Sequence, residues 1–295
     1  MSSIIPFTEC LFFHLGEYAS LITIGPQSIV SASFAALTPL QQGICYFVPS
    51  LASHLVDCTE INENDSSKDN IIPVEQKQIV LKELKDLTKL AKLPRKINYF
   101  TKTDCSFSGF GGFLSATKPV LLMPYEHLFY APFSEGSAKS PLSLSKNETS
   151  FFICRELGKI KRNITLAKFA AAITMIALTA ILFLSSISFL ITLPAITAIF
   201  ISYTFVVNKI HYSLDKYAIK LLTEHLGSEE TALKVAISGL SKMKEVNLNK
   251  RKTSKWSKIA ITSKGEERFS PKHSNINARL KKLTLLAKKK NLIID

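Results

Sequence analysis

The chain has 295 residues, 46% of them hydrophobic, and a formal net charge of +14. That length leaves room for roughly one soluble domain of ordinary size beside any membrane segment. Five scattered cysteines, Cys10, Cys45, Cys58, Cys105 and Cys154, form no Cys-x-x-Cys pair. They exclude a disulfide framework or a thiolate zinc ribbon and fit a reducing cytosolic face.

The first 70 residues carry one cation, Lys68, and seven acids, so the rest of the chain holds 36 cations against 16 acids. Residues 1–9 lack a basic stretch and do not read as a cleaved signal peptide. Residues 18–56 are free of Asp, Glu, Lys and Arg but diluted by Gln27, Gln41, Gln42, Pro26, Pro39, Pro49 and many serines. They read either as a second membrane-associated region centred on 29–51 or as a buried apolar segment. Residues 62–70 read as a linker. Together, residues 1–70 form an N-terminal apolar region followed by that linker.

Residues 74–93 place Ile79, Leu81, Leu84, Leu87, Leu90 and Ala91 at helical spacing, and Pro94 ends the pattern. Residues 96–101 and 119–123 suit strands, with the glycine-rich stretch 106–114 between them, so a small sheet with a glycine bend is expected. Gly109, Gly111 and Gly112 lack the spacing of a nucleotide-binding loop. Ser145 and Glu148 form a capping box that opens a helix through Phe151, Glu156 and Lys161.

The run 169–207 holds no Asp, Glu, Lys, Arg or His across 39 positions. One straight helix of that length would be about 58 Å, against a hydrocarbon core of about 30 Å. Two helices of about 18 residues fit that thickness, with a turn expected near Ser185, Ser186, Ser188 and Pro194. We read a transmembrane hairpin over 166–208; the alternative is a pair of helices buried in a large soluble core. Arg155, Lys159, Lys161, Arg162 and Lys168 precede the run and Lys209, Lys216 and Lys220 follow it, which puts both ends on the cytoplasmic side. The expected partner of the basic remainder is then the anionic inner leaflet. No nucleic-acid motif is present, so nucleic acid is not expected.

Beyond the hairpin, residues 211–225 and 229–244 read as helices, 246–271 as a basic loop, and 275–289 as a last helix. Lys250 to Lys264 reads as solvated loop. His14, His54 and His127 have no ligand partners at useful spacing, and His225 reads as a feature of a helix end. Cys154 lies beside Arg155, and a neighbouring cation lowers a thiol pKa, but no Cys-His pair is evident.

Three stretches in order carry a resemblance: 151–161 around Arg155-Glu156-Leu157-Gly158-Lys159, 211–218 with His211 and Asp215, and 273–280 with His273 and Arg279. The order resembles the integral-membrane zinc endopeptidases that include the CAAX-prenyl proteases and the bacterial heat-shock membrane proteases. In that family one helix carries His-Glu-Leu-Gly-His, a membrane hairpin follows, a second helix carries Glu-x-x-x-Asp, and a C-terminal His-Pro…Arg element closes the site. The resemblance covers about residues 74–283. It implies a mainly α structure with a small β-sheet (α+β): a gluzincin-like metallopeptidase fold with the transmembrane hairpin inserted between the two motif helices. Residues 71–165 and 209–295 would be its two halves.

In the family motif two histidines one helical turn apart present nitrogens to one Zn²⁺, and the intervening Glu takes a proton from the bound water. Laid on this chain, Glu156 stands at the general-base position and Asp215 at the bracing Asp. The two histidine positions hold Arg155 and Lys159, and the third-ligand position holds His211. His273 and Arg279 match the C-terminal pair, with Ser274 in place of the usual Pro. Charged Arg and Lys offer no lone pair. Each would also repel a divalent ion by about 8 kcal/mol at 4 Å and an effective dielectric near 20.

The resemblance therefore implies a membrane-anchored pseudopeptidase without catalytic zinc, working as a binding scaffold, a regulator or a holder of peptide segments along a sheet edge. Arg155 and Lys159 would stand in for the metal and pair with Glu156 and Asp215. The rival readings are a live zinc endopeptidase using His211, Glu156 and His273, and a basic membrane protein unrelated to peptidases.

Overall fold

The computed structural model describes residues 59–61, 74–93, 96–102, 107–110, 118–124, 128, 144–184, 189–253, 255–266 and 276–292. The expected apolar segment 18–56, the linker 62–70, the histidines His14, His54, His127 and His273, and every cysteine but Cys154 lie outside them.

Four short strands form one mixed sheet: β1 (Thr59–Glu60), β2 (Asn98–Lys102), β3 (Ser108–Phe110) and β4 (Val120–Pro124), in the order β1-β2-β4-β3. β2 runs parallel to β4, pairing Asn98 with Val120 and Thr101 with Met123, while β1 and β3 are antiparallel edges. The period of two divides the faces. Tyr99, Leu121 and Met123 join the main core, whereas Phe100, Val120 and Leu122 form a small cluster of their own. The two-residue β1 was not expected from the sequence.

Helix α1 (Val74–Leu90) precedes β2 and buries Val80, Leu84 and Leu87 on one stripe. α2 (Lys146–Lys161) is the central helix, with twelve of its sixteen residues buried. Its capping box is formed as expected: Ser145 Oγ accepts the Glu148 N–H, and Glu148 accepts the Ser145 N–H at 2.6 Å. Glu148 also accepts from Ser238 at 2.6 Å and Lys242 at 2.8 Å, so the cap ties α2 to a later helix as well.

Asn163 separates α2 from α3 (Ile164–Leu184) with φ of 50°, a left-handed conformation that asparagine tolerates better than most side chains. α4 (Phe189–Leu226) follows and packs against α3. Two expectations are corrected here. Pro194 lies inside α4 rather than in a turn, and the other expected turn residues, Ser185, Ser186 and Ser188, lie outside the described residues. As the sixth residue of α4, Pro194 removes one backbone hydrogen bond and crowds the carbonyl four residues earlier, and the helix continues past it. The apolar run and the motif segment at His211 are also one helix of 38 residues, not two. Neither Asn208 nor Lys209 breaks a helix. Among the described residues no helix is long and apolar enough to cross a membrane.

α5 (Glu229–Thr253), α6 (Lys255–Ala260) and α7 (Ile276–Lys289) complete the fold. Within the expected loop 246–271, residues 246–253 and 255–260 are helical instead. Arg251 donates to the carbonyls of Lys258 and Ile261, and Asn247 donates to Gly265 O at 3.1 Å, so side chains satisfy backbone groups that a loop would leave to water. Its cations also suit a helix C-terminus. The main core is built from α1, α2, α4, α5 and α7 against one face of the sheet. The protein is thus mainly helical with a small sheet.

Candidate functional site

The centre of the domain is a cluster of charged side chains held by α2, α4, α7 and β3. Residues four apart share a helix face, so Arg155 and Lys159 project from one side of α2 while His211 and Asp215 project from one side of α4. Close packing brings the helices together at Gly158, where a Cβ would lie 2.6 Å from the Tyr217 ring. Gly109 has the same role for β3: a Cβ there would lie 2.6 Å from the Glu156 carbonyl oxygen. Each approach requires glycine.

Arg155 is the hub. Its Nη2 lies 2.5 Å from His211 Nδ1, its Nε 3.0 Å from Asp215 Oδ1 and its Nη1 3.8 Å from Glu156 Oε1. The Nε–Asp215 contact is a close ion pair without hydrogen-bond alignment, which leaves that N–H unbonded. A guanidinium only donates, so His211 accepts at Nδ1 and is neutral. Asp215 is held by Arg279 through two parallel bonds, Nε to Oδ2 and Nη2 to Oδ1, each 2.6 Å; such forks are the strong form of carboxylate pairing. Glu156 is held by Lys159 Nζ at 2.5 Å and by the Gly109 N–H at 2.9 Å, both on Oε2.

All of this is removed from water: Arg155 and Arg279 are 4% exposed, Glu156 1%, and His211 and Asp215 fully buried. Burial and the nearby Arg279 charge pull the Arg155 guanidinium below its ordinary value, while Asp215 and Glu156 hold it up. As arginine does in proteins, it stays protonated. The cluster then carries three cations, Arg155, Lys159 and Arg279, against two carboxylates.

The structure therefore brings together six of the seven residues singled out in the sequence: Arg155, Glu156, Lys159, His211, Asp215 and Arg279. His273 lies outside the described residues. The donors a zinc ion would need are facing cations. His211 Nδ1 meets Arg155, and the Glu156 oxygens meet Arg155, Lys159 and the Gly109 N–H. Among the described residues no group of three His, Cys, Asp or Glu side chains could hold a metal. This set does not fit zinc.

Cys154 is no nucleophile. It is fully buried, and burial, together with the Glu83 charge, pushes its thiol up rather than down. His225 is not a plain surface residue either, since its Nε2 lies 2.9 Å from Glu83 Oε1.

Two polar features escaped the sequence. Glu83 gathers Ser150 Oγ at 3.1 Å, Lys146 at 3.1 Å and His225, joining α1, α2 and α4. Its signal was available, because Glu83 interrupts the apolar stripe of Val80 and Leu87. The Gly109 N–H has no such signal, because a backbone donor leaves no side-chain mark. No family model, no curated protein and no solved structure matches this chain.

Proposed function

We propose that this is a membrane-anchored, metallopeptidase-like protein with a gluzincin-type arrangement, which acts as a scaffold or regulator rather than a protease. The carrying observation is the place of the cations: Arg155 and Lys159 engage Glu156, Asp215 and His211, the residues that a metal would otherwise organise. An unpaired buried carboxylate is costly, and these cations remove that cost. No residue in the cluster is left in the state needed to make hydroxide from water. Both Glu156 oxygens are engaged by cations, Arg155 on one and Lys159 on the other, which takes them from the role of a proton acceptor.

Peptide holding along the sheet is the less favoured form of this function. β3 is an edge strand, where an extended peptide adds by backbone hydrogen bonds. Its Gly109 N–H is already given to Glu156. A partner protein is the better candidate.

The membrane hairpin belongs to the same proposal. α3 has 21 residues, about 31 Å at about 1.5 Å each, and its sequence contains one charged residue, Lys168. The described residues alone do not make a span. The sequence of both helices adds the apolar Phe169, Phe183, Leu190, Phe200 and Phe205, which supports the hairpin reading. Ile173, Ile176, Leu178, Ile181, Ile191 and Val206 are exposed, and only Ile79 and Leu285 are comparable large apolar side chains elsewhere among the described residues. So dense an exposed apolar surface marks a membrane or protein contact. Basic residues on both flanks favour the cytoplasmic face for the domain, against the anionic leaflet.

The test is elemental analysis of the purified full-length protein together with a proteolysis assay. The expected result is less than stoichiometric zinc and no chelator-sensitive cleavage. Stoichiometric zinc that leaves with cleavage activity would overturn the proposal.

A further inference from the structure

The foot of the α3–α4 pair carries a second cluster, separate from the buried one. Arg162 closes the end of α2, two residues before α3. Its Nη1 donates to Ser213 Oγ at 2.5 Å, and its guanidinium lies 4.8 Å over the Tyr217 ring. One residue before Ser213, the Tyr212 ring receives two ammonium groups: Lys216 at 5.0 Å, from the same helix, and Lys282 at 4.6 Å, from α7. Arg162, Lys216 and Lys282 are exposed. Among the described residues none of the three has an acidic partner. Two ammonium groups on one ring repel each other, and the ring offsets only part of that. The arrangement calls for an anion.

Geometry says which anion. α4 is unbroken, so Tyr212 stands five residues past Val207, the last of the uncharged run, about 7.5 Å along the axis. The headgroup layer on each side of the hydrocarbon is about 5–8 Å deep. Helical side chains lean toward the N-terminus, and the N-terminal end of α4 is the end that lies in the apolar segment. Lys216 therefore reaches back toward the proposed bilayer, as its contact with Tyr212 one turn earlier reflects. Lys282 and Arg162 meet that level from two other elements. Tyrosine is also the side chain suited to this depth, apolar in body and polar at its tip.

We propose that Arg162, Tyr212, Lys216 and Lys282 form a binding site for the phosphate of an anionic glycerophospholipid headgroup. The inference rests on the membrane reading of α3 and α4. It goes beyond a diffuse attraction to the leaflet by naming the residues that grip one lipid.

The test uses full-length protein in nanodiscs of phosphatidylcholine containing a minority of phosphatidylserine. The readout is the phosphatidylserine retained per protein by native mass spectrometry after mild delipidation. The wild type should retain it above its share of the bilayer. Lys216→Gln with Lys282→Gln should lower its relative affinity about fivefold per lysine, at unchanged melting temperature. Each single variant should give one fivefold step, and the singles decide the question if the pair misfolds.

The pair Lys234→Gln with Lys252→Gln removes equal charge from α5 and should leave retention intact; an equal loss there would overturn the site in favour of general charge. Incorporation into discs without enrichment would overturn this inference alone. Failure of the wild type to incorporate would overturn the membrane reading and this inference together. Inorganic phosphate should not raise the melting temperature of detergent-solubilised protein; a rise that the double variant abolishes would assign the site to a free anion instead of a lipid.

Discussion

The two regions that share α4 have opposite relations to their surroundings. In the domain, Arg155, Glu156, His211, Asp215 and Arg279 are buried and mutually paired. In the apolar part of α3 and α4, up to residue 207, Ile173, Ile176, Leu178, Ile181, Ile191 and Val206 face outward, and Met175 is its one buried large apolar side chain among the described residues. A water-soluble protein places these classes the other way round. Charges inside are tolerable because each has a partner within the domain. Apolar groups outside are tolerable where the solvent is itself apolar, which is why the hairpin carries the membrane proposal and the centre does not.

Breaking the polar centre should give the largest effect. Asp215→Ala leaves two buried guanidiniums, Arg155 and Arg279, without their shared carboxylate. It should cost about 3–5 kcal/mol of stability, read as a large drop in denaturation midpoint. A midpoint within error of the wild type would show that the pairs contribute nothing. Charging the other region sharpens the contrast. Ile173, near the middle of α3, is 46% exposed, so Ile173→Lys should leave the domain's unfolding unchanged. It should weaken insertion by about 2.5–3.5 kcal/mol, measured as the share of protein resisting alkaline extraction from membranes. Unaltered extraction would count against the span.

A smaller effect probes the seam between strand and helix. Gly109→Ala places a methyl 2.6 Å from the Glu156 carbonyl oxygen. Overpacking of this kind should cost about 1–3 kcal/mol, seen in thermal unfolding. The smallest effect concerns Glu148. Burial pushes its carboxyl up, but hydrogen bonds from Lys242, Ser238 and the Ser145 N–H outweigh burial and hold it below 4.5. Its stabilisation is therefore complete above pH 4.5 and is lost as pH falls through the lowered folded value. Glu148→Gln should flatten stability against pH in that acid window and leave the slope near neutrality alone; an unchanged acid slope would dismiss the contribution.

Much of the domain was legible in the sequence because its signals are local. The capping box at Ser145, the stripe of α1 and the strands at 98–102 and 120–124 each follow from residues within a turn or a pleat. The limits of α4 were not. Lys209 marks where apolar sequence stops, not where hydrogen bonding stops, and the helix continues past Pro194 despite the hydrogen bond that proline removes. The helical stretches 246–253 and 255–260 were read as a loop because their charges mask a capping scheme that depends on Arg251 meeting carbonyls further along the chain. At the site, Asp215 and Arg279 were identifiable, since charged residues on apolar stripes need partners. The Gly109 N–H was not.

α4 also has a mechanical consequence. Its backbone is unbroken from Phe189 to Leu226, whereas the route from α3 to α2 passes the left-handed kink at Asn163. Of the two connections into the domain, one is a rigid strut and the other a jointed link. His211 and Asp215 ride on the strut, and Arg155 lies beyond the joint. Any twist or tilt imposed on the apolar end is delivered undiminished to one side of the Arg155–His211 contact and only through the elbow to the other, so that contact is where such a load concentrates.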